Sequence, residues 1–409
     1  MISTRLTRTL VSAAALAALA LVESVPASAA EPTLQSRIRG ALVTSQVPAS
    51  GTGAFVLDLS TGGLVYAQNA STPLRPASNQ KLPVAFAALA ELGPDLRIET
   101  AALGEGERSG AVWDGDLFIK GYGDPTLSYS DLGRLARRVR ATGITRVTGL
   151  VLGDESFFDR RRTAPGWKPS YYKDESPPLS ALVVNRAKVG GRTVDNPALA
   201  AAVAFRRALI TAGIRVRGQA AVAAASPDAV PLGRVVSQRL AVIVRRMNRV
   251  SDNFFAETLL KGLGARELGR GSTAAGARIV VRELREREVP LEGVRIADGS
   301  GLSRYDRLTG RALVGLLAAA WSDPAIKTPF VASLAVAGVS GTLEDRMESG
   351  PARGRVRAKT GTTGRASALS GYVGDRYVFS MLMNARPLPT WSARRAQDRV
   401  AQLLAARAT

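Results

Sequence analysis

The sequence predicts an α+β protein: an antiparallel five-stranded sheet flanked by helices, assembled from both ends of the chain, with a large inserted domain between them. Three observations carry this. Two short strand patterns lie near the amino terminus and three near the carboxyl terminus, each set with its own helix. The middle of the chain has a different texture, with short strands, turns and a proline-rich aromatic loop. About 380 residues follow the first 29, more than one hydrophobic core usually serves.

Residues 1–29 read as an export signal. Arg5 and Arg8 precede the apolar run 10–22, and the small residues Ala27 and Ala29 suit cleavage. The run falls short of the roughly 20 residues that span a bilayer. The mature chain is therefore expected outside the cytoplasmic membrane, secreted and without a stable span. "PTLQSRIRGALVTS" then reads as a helix with Leu34, Ile38 and Leu42 on one stripe. "GTGAFVLDLSTGGLVYAQN" reads as strands over 53–59 and 63–68 around a Ser-Thr-Gly-Gly turn. A helix carrying "RPASNQKLP" follows and runs to about Leu92, before Gly-Pro-Asp.

Residues 98–232 are assigned to the inserted α/β domain: strand-and-turn segments such as "DGDLFIKGYGDPTL" and "GITRVTGLVLGD", the loop "APGWKPSYYKDESPP", and one helix, "NPALAAAVAFRRALITAG". Residues 30–97 and 233–409 form the main domain. In its second part "LAVIVRRMNRV" returns to helix, and "VRAKTGTTG" and "ASALSGYVGDRYVFSMLMNA" supply three strands. The last has Tyr377, Phe379, Met381 and Met383 on one face. A final helix places Ala396, Val400, Leu403 and Leu404 at helical spacing.

Composition narrows the chemistry. The chain has no cysteine and no histidine, which removes disulfides, thiol catalysis, the usual general base and the usual zinc ligands. No metal and no cofactor is expected. The formal charge is +21, of which the first thirty residues contribute one, so +20 remains. Export argues against a nucleic-acid partner, and the basic residues lie singly and in pairs, which suits a solvated surface attracted to a polyanionic cell wall. Of 55 basic residues only eight are lysines. Lysine can be neutralised by its surroundings where arginine cannot, so a lysine that persists against this bias marks a place where its proton is needed.

Three short elements could carry acyl transfer. Ser78 stands three residues before Lys81, so on a helix the two side chains share a face and a proton. Ser251 and Asn253 lie two residues apart, a hydroxyl to relay a proton and an amide to hold a substrate; the plain reading is a cap by Ser251 or Asp252 on "NFFAETLL". Lys359, Thr360, Gly361 and Thr362 sit on a candidate strand, where lysine and threonine can bind a carboxylate and glycine permits close backbone approach. Each alone is common. In the order S-x-x-K, S-x-N, K-T-G they are the signature of serine enzymes that recognise penicillin, and such enzymes require no histidine.

On these motifs, on "DGDLFIKGYGDPTL", "PGW", "DGSGLSRYDRLTG", "AVAGVSGTLEDRM" and "KTGTTGRASALSGYVG", and on the separation of 173 positions from Ser78 to Ser251, the chain resembles the D-alanyl-D-alanine carboxypeptidase/endopeptidase family of class C low-molecular-mass penicillin-binding proteins. The resemblance implies a penicillin-binding/serine β-lactamase-like main domain. It further implies a secreted serine DD-peptidase acting on peptidoglycan stem peptides, able to cleave cross-links as well, and inhibited by β-lactam antibiotics. Ser78 is implied as nucleophile, Lys81 as its base, Ser251 with Lys359 as proton relay to the leaving D-alanine, and Asn253 as holder of the peptide amide and of Lys81. Lys359, Thr360 and Thr362 are implied for the terminal carboxylate, and the N–H groups of Ser78 and Thr362 for the oxyanion. A β-lactamase or esterase with the same motifs, or a catalytically weak wall-binding protein, remain the alternatives. Pro83, two residues past Lys81, predicts a kink or an irregular first turn that strains the Ser78–Lys81 pair.

Overall fold

The two ends of the chain meet in one sheet. In the computed structural model, which describes residues 33–408 except Ser45, six strands pair in the order Ala335–Val336, Val356–Thr363, Ala366–Val373, Tyr377–Asn384, Thr52–Asp58 and Leu64–Gln68. Every pairing is antiparallel. The export signal expected at residues 1–29 lies outside the described residues. The five expected strands are present, and the two-residue strand Ala335–Val336 adds a sixth at the edge. It pairs only with Ala358 and Arg357, so among the described residues no strand pairs with the outer edge of the next one from Lys359 to Thr363.

The strands Ala366–Val373 and Tyr377–Asn384 are buried almost throughout because both faces of the sheet are covered. On one face the terminal helices Leu34–Leu42 and Thr390–Ala405 bring Ile38, Leu42, Val400 and Leu404 against Val56, Phe379 and Met381. On the other, Lys81–Leu92, Asn253–Leu268 and Gly310–Ser322 pack Phe86, Leu260 and Leu316 into one core with Phe55, Tyr372 and Leu382. Residues 81–89 are all buried, which marks Lys81–Leu92 as a central helix apolar on every side. A polar group at its start must therefore find its partners inside the protein.

The middle of the chain forms a second, mixed sheet. Its main path runs Ala220–Val222, Val151–Asp154, Val112–Gly121, Arg97–Ser109 and Val230–Arg239. The expected helix is present as Pro197–Thr211, and beside it stands a second, Tyr129–Ala141, that the reading above did not assign. Its signals are in the sequence: Ser128 and Asp131 close a capping box, and Leu132, Leu135, Ala136 and Val139 form the buried stripe. The residues from Leu34 onward form one compact unit that includes both sheets.

Helix Asn253–Leu268 is fixed by its crossing with Thr273–Glu286, where two glycines remove the side chains that would separate the backbones. A Cβ on Gly276 would lie 1.8 Å from the Leu260 carbonyl oxygen, and one on Gly264 would lie 2.6 Å from the Gly276 nitrogen. Gly276→Ala gains about 1 kcal/mol of helix propensity. The clash is with backbone that can yield only by moving a helix, so the net expectation is a loss of about 1–3 kcal/mol. Denaturant unfolding monitored by circular dichroism checks this; a midpoint equal to or above that of the parent protein would contradict the close crossing.

Candidate active site

Ser78 lies on a 3-10 turn, Ala77–Gln80, that feeds directly into helix Lys81–Leu92. Side chains at i and i+3 eclipse in this tighter helix, which stacks Ser78 over Lys81. The Lys81 Nζ to Ser78 Oγ distance is 3.0 Å. The irregular turn anticipated from Pro83 is therefore real, but it lies upstream and brings the pair together. Pro83 itself is the third residue of the α-helix, where an N–H has no intrahelical partner to lose. Ala77, at φ +46°, turns the chain into the serine.

Lys81 is wholly buried and Nζ meets three acceptors: Ser78 Oγ, Asn253 Oδ1 at 2.7 Å and the Ser300 carbonyl at 2.7 Å. The last is fixed as an acceptor. Asn253 presents its oxygen to Lys81 because its Nδ2 donates to Glu175, at 3.1 Å to the carbonyl and 3.3 Å to Oε2. A neutral amine therefore spends two N–H bonds on Asn253 and Ser300 and turns its lone pair to Ser78. Burial pushes the Lys81 ammonium down to about 8, against the opposing pull of Asp298 and Glu257.

Ser251 joins helices Leu240–Arg249 and Asn253–Leu268 with φ +60°, a left-handed conformation unusual for a residue other than glycine. Asp252, not Ser251, is the cap, accepting from the Phe255 N–H at 3.2 Å. Ser251 is thereby free to accept from Lys359 Nζ at 3.0 Å. Lys359 is also fully buried and donates to the Thr360 carbonyl at 2.8 Å. Burial first, and the charge of Lys81 second, hold its ammonium well below the usual range. The repulsion between the two lysines thus tells on Lys359, while at Lys81 burial is opposed by Asp298 and Glu257.

The strand that carries Lys359 touches the serine turn. A Cβ on Gly361 would stand 2.9 Å from both the Pro76 oxygen and the Ser78 nitrogen, so the glycine serves the approach of strand to turn as well as any approach of substrate. Asn79 Nδ2 pins the same junction by donating to the Lys359 carbonyl at 2.9 Å. Thr360 donates to the Thr342 hydroxyl at 2.7 Å, and Thr362 accepts from Arg394 at 3.0 Å. Ser78, Ser251, Asn253, Thr360, Gly361 and Thr362 all line one cleft of about 390 Å³, with both lysines buried behind its wall.

The residues missed from sequence lie under that wall. Four donors converge on buried Asp298: Trp167 Nε1 at 2.8 Å, Ser300 Oγ at 3.1 Å, and the N–H groups of Gly301 and Ser303, each at 2.7 Å. Glu257 accepts from the N–H groups of Gly299 and Ser300 at 3.0 and 2.8 Å. Burial, then the nearby Asp298 charge, pushes Glu257 up to about 8 and Asp306 well above the usual carboxylate range. Together they fix the turn that aims the Ser300 carbonyl at Lys81. "DGSGLS" advertised a tight turn, but nothing in its spacing pointed at Lys81. Among the described residues no cluster of His, Cys, Asp or Glu could hold a metal ion.

Comparison with known proteins identifies the family and the fold. The chain is 34% identical to the D-alanyl-D-alanine carboxypeptidase of Actinomadura sp. (strain R39), over 86% of this chain and 81% of that one. It is 32% identical to carboxypeptidase DacB of Mycolicibacterium smegmatis, over 78% and 73%. Penicillin binding protein 4 (dacB) from Haemophilus influenzae shares the fold, with a TM-score of 0.79 at 21% identity over 91% of this chain and 99% of that one. A profile of the D-Ala-D-Ala carboxypeptidase 3 (S13) family matches residues 34–192 and 186–407, which carry all three motifs. With nearly the whole described chain covered, the protein belongs to the D-Ala-D-Ala carboxypeptidase 3 (S13) family.

Proposed function

We propose that this protein is a serine DD-peptidase that removes the terminal D-alanine from peptidoglycan stem peptides through a Ser78 acyl-enzyme, cleaves D-Ala cross-links by the same chemistry, and is acylated by β-lactams. The observation that carries this reading is the placement of Lys81 Nζ between Ser78 Oγ and two acceptors, which aims its lone pair at the serine proton. Family membership and the carboxypeptidase relatives support the substrate class. Residues 1–29 support an extracytoplasmic site of action; none of the described helices is long and apolar enough to cross a membrane. The same reading takes residues 30–97 and 233–409 as the peptidase domain and 98–232 as an insertion; the second sheet supports an insertion, with ends set by its strands Arg97–Ser109 and Val230–Arg239, so the second end falls nearer 239 than 232.

Each step balances within the cleft. Ser78 Oγ bonds to the carbonyl carbon of the penultimate D-alanine as its proton passes to Lys81 Nζ. The oxyanion faces the N–H groups of Ser78 and Thr362, a kind of contact worth roughly 3 kcal/mol per donor. As the C–N bond breaks, the leaving amine takes a proton from the Ser251 hydroxyl, which Lys359 replenishes. Asn253 holds the substrate amide. Thr360, Thr362 and Lys359 hold the terminal carboxylate, whose charge offsets the burial penalty on the Lys359 ammonium. Gly361 keeps the strand close to the serine. Lys81 passes the proton it took from Ser78 on to Lys359, which restores both amines; water then attacks the ester carbonyl as it gives a proton to Lys81, and the leaving Ser78 oxygen takes that proton back.

Incubation with a muropeptide ending in D-Ala-D-Ala, followed by mass analysis, is expected to show loss of one alanine, and fluorescent penicillin is expected to label the protein. Ser78→Ala should abolish both, and labelling that persists would sink the mechanism. Lys81→Arg, which retains a permanent charge, is expected to slow acylation by about 10²- to 10⁴-fold.

The pH dependence has a definite sign. The base works when neutral, and Lys81 loses its proton near 8, so acylation should rise with pH, fall about tenfold per unit below that value and level off above it. Stopped-flow acylation between pH 6 and 10 checks this; a flat profile, or one that falls as pH rises through 8, contradicts Lys81 as the base.

A further inference from the structure

Three consecutive residues in the middle of the chain, Asn185, Arg186 and Ala187, are left-handed, with φ of +46°, +58° and +55°. Residues with a Cβ visit this region singly and at a cost, and neither arginine nor alanine has a side-chain reason to favour it. The turn is tied down by hydrogen bonds. The Asn185 N–H donates to the Leu127 carbonyl at 2.8 Å, Asn185 Oδ1 accepts from the Tyr129 N–H at 3.3 Å, and the Ala187 N–H donates to the Val184 carbonyl at 2.9 Å. What the strained turn sets is the direction of one side chain. Arg186 passes over the Phe254 ring, 5.5 Å from its centroid, and its Nη1 donates to Asp252 Oδ2 at 2.6 Å.

Asp252 is the neighbour of Ser251, and both its oxygens are engaged. Oδ1 accepts from the Phe255 N–H as the helix cap, Oδ2 takes the guanidinium, and the side chain is only 8% exposed. The Asp252 N–H donates back to the Met247 carbonyl at 3.0 Å. Ser251, at φ +60°, is thus held in its left-handed turn by a residue that Arg186 pins. Without the guanidinium, one oxygen of a nearly buried carboxylate loses its partner. The group recovers by turning to water, which gives up the cap and lets Ser251 relax to ordinary backbone. Its hydroxyl then leaves Lys359 Nζ. We infer that Arg186 is a positioning residue for the proton relay to the leaving amine, acting through Asp252 to hold Ser251 against Lys359; the role rests on the DD-peptidase reading. Glu175 holds Asn253 independently, so Lys81 keeps its partners and acyl transfer that needs no such relay survives.

The test compares two substrates with one acyl group: diacetyl-L-Lys-D-Ala-D-Ala, and the same peptide with its last residue replaced by thioglycolate. The amine must be protonated as its C–N bond breaks, whereas a thiol, ionising at roughly 8.5, departs as its thiolate. Because kcat/KM covers only the steps through acylation, ester hydrolysis does not mask the comparison. Arg186→Met is expected to lower kcat/KM for the amide by about tenfold or more and to leave the thioester within about threefold, which also shows that the protein is folded. In the Asp252→Asn background an amide cap remains and no charge needs a partner, so Arg186→Met should cost the amide no more than about threefold further. A loss on the thioester equal to or larger than that on the amide, or no loss on the amide, overturns the positioning role, while D-alanine release by the parent protein upholds the peptidase. An undiminished loss in the Asp252→Asn background overturns it as well. No D-alanine from the parent protein overturns the peptidase reading and the relay with it.

Discussion

Two buried lysine amines, with no carboxylate among the described residues in direct contact with either, set the terms for the rest of the site. Removing an ammonium from water costs several kcal/mol unless the charge is paired or surrendered. Lys81 and Lys359 are wholly inaccessible, and their hydrogen-bond partners are hydroxyl, amide and carbonyl oxygens. Such partners suit an amine that gives up its proton as readily as one that keeps it. The nearest lasting negative charge stands one layer back at Asp298, where it holds the Lys81 ammonium up near 8 against the larger effect of burial.

That requirement explains features that otherwise look like separate irregularities. The serine turn is 3-10 because i and i+3 must eclipse. Ser251 is left-handed because its hydroxyl must reach Lys359 while Asp252 caps the next helix. Gly361 has no side chain because the strand that delivers Lys359 runs against the backbone of the serine turn. Glu257 and Asp298 spend their oxygens on the backbone of 299–303, so the Ser300 carbonyl stays aimed at Lys81. The apolar helix behind Lys81 supplies the low dielectric that makes these arrangements matter.

The main sheet was legible because its strands alternate, and its terminal helices because their stripes recur at helical spacing. The eight residues that come together at the cleft could be picked out because residue type and order carry acyl-transfer chemistry; their partners could not. Ser300 acts through a main-chain carbonyl, which leaves no trace in residue type. Glu257 reads as an ordinary charged position on a helix until the fold buries it beside the 299–303 turn. Pro83 misled because its consequence depends on where the α-helix begins, and a shift from 3-10 to α geometry at Lys81 is invisible to periodicity. Helix Tyr129–Ala141 was overlooked although its capping box and apolar stripe are plain.

The charge bias of the chain acquires a meaning at this site. Arginine outnumbers lysine many times over, yet the two lysines sit deepest while arginines occupy the rim. Arg394 holds the Thr362 hydroxyl from the terminal helix, and Arg346 stands beside it, tied to Asp398. Arginine remains charged wherever it is placed, so it serves where a permanent field is wanted and solvent can share the cost. Lysine serves where a charge must come and go. Depth in the cleft thus sorts the two cations by chemistry: inside, amines within hydrogen-bond reach of Ser78 and Ser251; outside, guanidinium groups that keep an unchanging positive charge at the rim.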